Sequence, residues 1–400
     1  MGISGYSWLM LTLVWLLSFA ANLMVLAPAP LLGAIMSELE LTHSEAGLLV
    51  ALPPLMYVLL SLVGGSLADR WCPKRVAGLG SLLMFVGGVV RGLAGSVDAL
   101  FVFTAVAGAG VALTIPNLPK VISSWFPSDR IGIATGFYVT TFSIGPAVVF
   151  AATPTILLPI LGSWRATLTF YGLFASAASI LWWLLAKNRL VVVGSRSSFK
   201  EVLKVRDVWL LGFITTTANM LWYGVSGWLP YILVERGFDE ATAGLVATLY
   251  TLTSVPALLL FPSASDRLGL RKPLISAPLL ALGPIVYFLP QTYQPTIWLL
   301  SALFGILVSG VFSLMFIVPV ERVGLVNAGG AMGLTLSIGY IGGLVGPWLV
   351  GYLRDLTGAF WSGFLSMAVV SEVALLLSLP LKETGGGGQP TFAQRRNSTI

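Results

Sequence analysis

Apolar runs of roughly twenty residues, parted by short clusters of Gly, Pro or charge, recur along the whole chain. They fall at about 8–32, 44–67, 76–95, 98–120, 131–156, 165–186, 208–233, 241–262, 273–290, 295–319, 329–352 and 360–381. At about 1.5 Å per helical residue each run can cross a hydrocarbon core of about 30 Å. The pattern therefore predicts an all-α membrane protein with twelve transmembrane helices. Prolines inside several runs (Pro53, Pro54, Pro116, Pro256) suit membrane helices whose neighbours satisfy the freed backbone groups. The first run, Trp8 to Ala29, has no basic flank. It is longer than the roughly 7–15-residue apolar core of a signal peptide and reads as the first helix.

Composition agrees with a lipid solvent: 56% of residues are hydrophobic and 10% charged, against about 25% charged in soluble domains. The net charge of +6 sits between apolar runs, which points to membrane topology and away from nucleic acid. With the N-terminus inside, 18 of the 22 Lys and Arg fall in inner loops and tail, and Arg91, Arg165, Arg236 and Arg354 fall outside. That bias predicts both termini in the cytoplasm and a plasma (inner) membrane location. One cysteine (Cys72) and one histidine (His43) exclude an intramolecular disulfide, a multi-cysteine metal site and an HExxH protease. No Gly-Lys pair occurs, so there is no P-loop. No metal or cofactor is expected. An intramembrane enzyme would need His, Cys or paired acids at depth, a channel a legible filter or charged ring, and neither is apparent.

The chain repeats itself. The stretch "GGSLADRWCPKR" (Gly64 to Arg75) returns in degraded form as "PSASDRLGLRKP" (Pro262 to Pro273), placing Asp69 and Asp266 197 residues apart. "FPSDRIG" at Phe126–Gly132 returns as "VPVERVG" at Val318–Gly324, and "SIG" at Ser143–Gly145 returns at Ser337–Gly339. Offsets of 192 to 197 define two six-helix bundles: residues 1–187 and 207–383. A basic linker, 188–206, joins them on the cytoplasmic side near anionic headgroups, and 384–400 reads as a disordered cytoplasmic tail.

Gly65, Asp69, Arg70, Lys74 and Arg75 resemble the loop motif of the major facilitator superfamily, and its recurrence as Asp266, Arg267 and Arg271 falls at the symmetric loop. The resemblance implies two helical bundles working as a secondary transporter. It also implies that Asp69 gates the inner side by resting against the start of the eleventh helix, near Asn327-Ala328-Gly329, where unpaired amides carry positive potential. The plainer alternative is that these charges only set topology. Cys72 stands where the motif has Gly, so the turn is expected to form differently, with help from Pro73. The family's Arg in the fourth helix is replaced by Thr104. Gly145-Pro146, and more fully Gly342, Gly346, Pro347 and Gly351, resemble the antiporter motif, although small residues at this spacing also simply permit close packing.

Arg91, Gly108, Gly110, Pro119, Phe126, Gly136 and Trp164-Arg165 are similar to the branch of cyanate and nitroimidazole transporters. That branch carries Arg in its first helix where this chain has Asn22. The helices that line the pore in this superfamily supply candidate cavity residues Asn22, Asn117, Tyr138, Asn219, Trp222, Tyr223, Tyr250 and Tyr340. Asn22 and Asn219 are 197 apart in corresponding helices, and buried amides need partners. The tyrosines and tryptophan could equally be core. Arg91 reads as snorkelling or pairing with Asp98, or else as an anion-attracting outer mouth, with Lys120 acting similarly inside. Glu372, the only acid well inside a span, is a proton-coupling candidate or a peripheral group.

The sequence therefore predicts a secondary transporter moving a small solute, best a small organic or inorganic anion, by alternating access, with a coupling proton and monomeric action in the bilayer. A multidrug-type efflux antiporter for apolar compounds is the alternative within the class, and a transporter-like membrane receptor the alternative outside it.

Overall fold

A computed structural model describes residues 5–127, 130–189, 199–324 and 327–384. Every regular element among them is helical. The spans are α1 (Gly5–Leu39), α2 (His43–Trp71), α3 (Pro73–Gly92), α4 (Val97–Trp125), α5 (Ile131–Leu161), α6 (Trp164–Leu185) and α7 (Arg206–Glu235). They continue with α8 (Glu240–Leu268), α9 (Lys272–Gln291), α10 (Thr296–Val323), α11 (Ala328–Thr357) and α12 (Trp361–Ser378). All but α7 are both long and apolar enough to cross a membrane. At 30 residues α7 is long enough, but its centre carries Thr215, Thr216, Thr217, Asn219, Trp222 and Tyr223. A span this polar in the middle needs partners for those groups.

Local chemistry sets the helix starts. Thr42 and Glu45 form a capping box at α2, where the Glu45 amide donates to Thr42 Oγ1 at 3.2 Å and the Thr42 amide to Glu45 Oε2 at 2.9 Å. Ser96 and Ser163 cap α4 and α6. Asp239 accepts from the Thr242 amide at the start of α8, and the hydrogen bonds from Thr242 hold its carboxyl below the usual carboxylate range. Two boundaries differ from expectation. After the turn at Pro28–Pro30, α1 resumes as Leu32–Leu39. The Asp-Arg pairs lie on the last turns of α2 and α8 and not in loops, because the helices run on through Gly64-Gly65 and Pro262 and end only at Cys72 and Gly269, both at positive φ.

The chain forms two compact units, Met1–Val193 with Ser226–Thr248, and Gly194–Val225 with Leu249–Ile400. Both divisions fall inside helices, α7 and α8. In the first unit α1 lies against α5 and α6, α6 against α3, α3 against α4, and α4 against α2. Small residues allow these approaches: a Cβ at Gly88 of α3 would meet Gly172 Cα of α6 at 2.9 Å. Paired hydroxyls add short hydrogen bonds, Ser18 with Thr141 at 2.6 Å and Ser81 with Ser179 at 2.8 Å, each worth about 0.6 kcal/mol in a membrane. The segment 226–248 packs within this unit: His43 lies beside the Trp228 and Tyr231 rings at 5.9 and 6.1 Å, and Thr248 donates to the Ala147 carbonyl at 3.4 Å.

In the second unit α9 packs on α12 and α10, and α11 on α12, which repeats the α3 contacts of the first. A buried cluster drawn from α7, α9, α10 and α12 includes Leu211, Ile214, Leu279 and Leu314. Gly342 and Gly346 of α11 lie directly on α7, a Cβ at Gly346 falling 2.5 Å from the Met220 carbonyl. Of the expected linker, 190–198 with Arg196 lies outside the described residues, as does the tail from 385 with Arg395 and Arg396.

Candidate functional site

At the end of α2, Asp69 pairs with Lys120 of α4 at 2.7 Å, and Lys120 also donates to the Gly65 carbonyl at 3.1 Å. Lys120 thus supplies the charge that the absent family Arg would have brought, from a position 16 residues further along α4 than Thr104. It is committed to Asp69 and does not stand as an isolated anion attractor. Arg70 and Arg75 are exposed, and Lys74 is half-buried, its carbonyl accepting from Trp182 Nε1 at 3.0 Å. The turn after Asp69 is a correction: Cys72 adopts φ 113° and ψ 145°, a conformation that is essentially glycine's. The turn keeps the shape that Gly would give it and holds a strained side chain. Its counterpart Gly269 has φ 66°.

The second copy is more elaborate. Arg271, 7% exposed, pairs with Asp266 and with Glu321, both at 2.7 Å, and donates to Ser265 Oγ at 2.8 Å. Burial works against its charge, and the hydrogen bonds with Glu321 and Asp266 outweigh it and raise the guanidinium above its ordinary value. Arg267 is exposed. Glu321 and Glu383, which serve this cluster, were not singled out by sequence reasoning. Glu321 lay within a recognised repeat, whereas Glu383 gave no signal because its partners are 111 and 112 residues away.

Deeper in each unit, two sequence repeats found separately come together. A Cβ on Gly145 would lie 2.7 Å from Asn22 Cβ, and one on Gly339 would lie 3.3 Å from Asn219 Nδ2. Each Asn of α1 or α7 therefore rests on the Gly of the "SIG" repeat in α5 or α11. Asn22 donates to the Ser18 carbonyl at 2.8 Å and Asn219 to the Thr215 carbonyl at 3.1 Å. Beside them, Thr216 donates to the Ile338 carbonyl at 2.9 Å.

Beside Asn219, one turn along α7, Tyr223 faces Tyr340 of α11 with ring centroids 6.5 Å apart, both half-buried. Trp222 stands edge-on to Tyr250 at 5.4 Å, and the fully buried Tyr250 continues to Phe304 at 5.5 Å. Asn219, Tyr223 and Tyr340 thus gather on α7 and α11, while Trp222 and Tyr250 lead into the α8–α10 packing. Asn117 and Tyr138 do not join a polar group of this kind. Asn117 is fully buried and donates to the Gly64 and Leu113 carbonyls at 3.3 and 2.8 Å. Tyr138 is 4% exposed and reaches the Ile115 carbonyl at 3.5 Å. Sequence reasoning missed a stack on α1, Trp15 on Phe19 at 5.0 Å, with Trp15 Nε1 donating to Thr140 Oγ1 at 3.0 Å.

Arg91 neither snorkels nor pairs with Asp98. It is 0% exposed, and Nη1 donates to the Met24 carbonyl at 3.0 Å. Pro28 explains the contact: lacking an N–H, it leaves the carbonyl four residues earlier, that of Met24, without its helical donor, and Arg91 fills the vacancy. Residue spacing carries no sign of this contact, because the Arg and the Pro sit on different helices. Glu372 is half-buried on α12 where Gly283 of α9 leaves room, a Cβ there falling 3.2 Å from Glu372 Cδ. No cluster of three or more His, Cys, Asp or Glu able to hold a metal occurs among the described residues.

The Major Facilitator Superfamily model matches residues 14–239 and 208–399. The chain belongs to the major facilitator superfamily. It is 28% identical to the 2-nitroimidazole transporter of Escherichia coli (strain K12), over 88% of this chain and 89% of that one. It is 26% identical to the cyanate transport protein CynX of the same strain, over 92% and 96%, so it sits in the branch that its third to sixth helices resemble. A bacterial homolog to the human lysosomal transporter Spinster, solved inward-facing and unoccupied, shares the fold with a TM-score of 0.79 at 16% identity, over 94% of this chain and 97% of that one. As a major facilitator with twelve membrane helices, the protein is an integral membrane secondary transporter and not an enzyme, and it handles a small-molecule solute.

Proposed function

We propose that this transporter moves a small polar solute by alternating access and that the solute is held by hydrogen bonds and aromatic faces, not by an ion pair. The observation that carries the reading is the cluster of Asn219, Tyr223 and Tyr340 on α7 and α11. It offers amide and phenol groups near the centres of α7 and α11, and transporter sites lie near the middle of their spans. The two cations suggested for an anion site are occupied otherwise, Arg91 by the Met24 carbonyl and Lys120 by Asp69. Small anions with delocalised charge remain the first class to test, because phenol and amide donors can serve them without a fixed cation. Relatives named for nitroimidazole and cyanate support a small planar solute.

The working halves are residues 1–187 and 207–383, joined by the linker 188–206. The protein acts as a monomer in the plasma membrane with both termini cytoplasmic, a reading supported by the placement of 18 of 22 Lys and Arg. The Asp69–Lys120 pair is the gating element of the first half. The proton is the proposed coupling ion, with Glu372 as its carrier. The aromatic chain Trp222, Tyr250 and Phe304 favours a second reading, efflux of apolar compounds.

Thermal-shift screening of the purified protein against small anions, heteroaromatics and drugs, followed by flux into proteoliposomes with the hits, tests the solute class. A set of hits confined to lipophilic drugs would replace the polar reading with the efflux one. In the same assay Glu372→Gln is expected to flatten the pH dependence of flux. An unchanged pH profile removes Glu372 from coupling.

A further inference from the structure

Asn117 stands apart from the solute cluster, at a break in α4. Pro116 turns the helix into a short 3-10 segment, Ile115–Asn117. Having no N–H, it leaves the carbonyl four residues earlier, that of Ala112, without a helical donor. Here α4 comes close to α2: a Cβ on Gly64 would stand 3.0 Å from Leu113 Cδ2, 3.3 Å from Leu113 Cα and 3.5 Å from the Ala112 carbonyl oxygen. An amide at 117 is a costly way to fill this space, because Oδ1 is buried and accepts no hydrogen bond among the described residues, a penalty that Leu of similar volume would avoid. What the amide supplies is two N–H donors. One goes to the Leu113 carbonyl at 2.8 Å within α4, the other to the Gly64 carbonyl of α2 at 3.3 Å. Both neighbours are acceptors, which fixes the way the amide points.

Three residues on, Lys120 repeats the pattern on the next carbonyl. Its Nζ donates to Gly65 at 3.1 Å and pairs with Asp69 at 2.7 Å. Helix positions three apart share a face, so the crossing of α2 and α4 set at Asn117 decides where the Lys120 ammonium lands. The side chains of this pair are 36% and 53% exposed, and an ion pair so open to water holds its own geometry weakly. It needs an anchor from outside. Asp266 in the second copy does not, because its partner Arg271 comes from the turn that follows its own helix and is 7% exposed.

We propose that Asn117 is a positioning residue for the Asp69–Lys120 pair: its amide fastens α2 to the break in α4 and so keeps Lys120 within reach of Asp69. Its own hydrogen bonds go to neither charged group. The consequence for transport rests on that pair being the inner gate, whereas the bracing of α2 does not.

Cys72, the only cysteine of the chain, follows the last turn of α2 and is half-buried, which makes it a native reporter. The rate at which N-ethylmaleimide labels it in the detergent-solubilised full chain, at fixed pH and well below the melting temperature, reads how often that turn opens. Asn117→Leu removes both donors at nearly constant volume and is expected to raise the rate about threefold or more. It leaves the local charge as it was, so the thiol keeps its own reactivity. Lys120→Gln is expected to raise the rate as well, and the double variant to label no faster than the faster single one. Gly64→Ala keeps the amide and both charges but forces α2 off Leu113 by a few tenths of an ångström. It too is expected to label faster, and it keeps the test open should Asn117→Leu fail to fold. A side chain that merely stabilises the bundle would lower the melting temperature and leave labelling at the wild-type rate, or would add its effect in full to that of Lys120→Gln. Either result overturns the proposal. Faster, non-additive labelling together with wild-type flux in Asp69→Asn would uphold the bracing by Asn117 and remove the gate.

Discussion

Cys72 and Arg91 show how single residues carry constraints imposed by other parts of the chain. Cys72 holds φ 113° at a turn where a side chain meets steric resistance worth about 1–3 kcal/mol. Cys72→Gly is therefore expected to raise the melting temperature while leaving transport intact. A lower melting temperature would show that the side chain contributes more than its strain costs. Arg91 answers a carbonyl that Pro28 strips of its donor. Arg91→Leu removes that donor and is expected to destabilise by about 1–3 kcal/mol, read as a lower melting temperature and lower yield of monodisperse protein. An unchanged melting temperature would mean that the Met24 carbonyl finds another partner. Neither feature was legible in advance. The sequence shows that Cys replaces Gly but not which backbone conformation wins, and it shows an Arg and a Pro but not that they meet across two helices.

Helix ends and helix pairs were more readable, because periodicity, capping residues and repeat spacing act over short stretches. The capping box at Thr42 and Glu45 and the serines at 96 and 163 are local signals. The pairing of Asp69 with Lys120 is tertiary: residue spacing alone placed Lys120 as a free inner charge, and the close approach of α2 and α4 turned it into a partner. If this pair is the gate, removing either member should have the same consequence. Asp69→Asn and Lys120→Gln are each expected to leave membrane insertion intact and to lower flux several-fold, and the double variant should be no worse than the more impaired single one. Additive losses in the double variant would separate the two residues, and wild-type flux in Asp69→Asn would remove the gating role.

For the whole molecule, duplication is the physical fact from which the remaining inferences follow. The repeats at 192 to 197 residues reappear as equivalent contacts: Asn22 on Gly145 and Asn219 on Gly339, α3 on α4 and α6, α9 on α10 and α12. Sequence reasoning recovered the twelve helices and the family, since both depend on patterns repeated many times along the chain. It assembled the solute candidates less well, because membership depends on which face of a helix each residue takes. Asn219, Tyr223 and Tyr340 gather, while Asn117 and Tyr138 are sealed between helices of the first unit.

The most direct measurement is solute counterflow in proteoliposomes for the best hit of the binding screen, comparing wild type with Asn219→Ala, Tyr223→Phe and Tyr340→Phe. The account predicts saturable counterflow in wild type and at least a tenfold rise in the half-saturating concentration for Asn219→Ala, about 1.4 kcal/mol of lost binding, with smaller rises for the two phenol deletions. Counterflow with wild-type half-saturation in all three variants, from protein that folds and inserts normally, would contradict it.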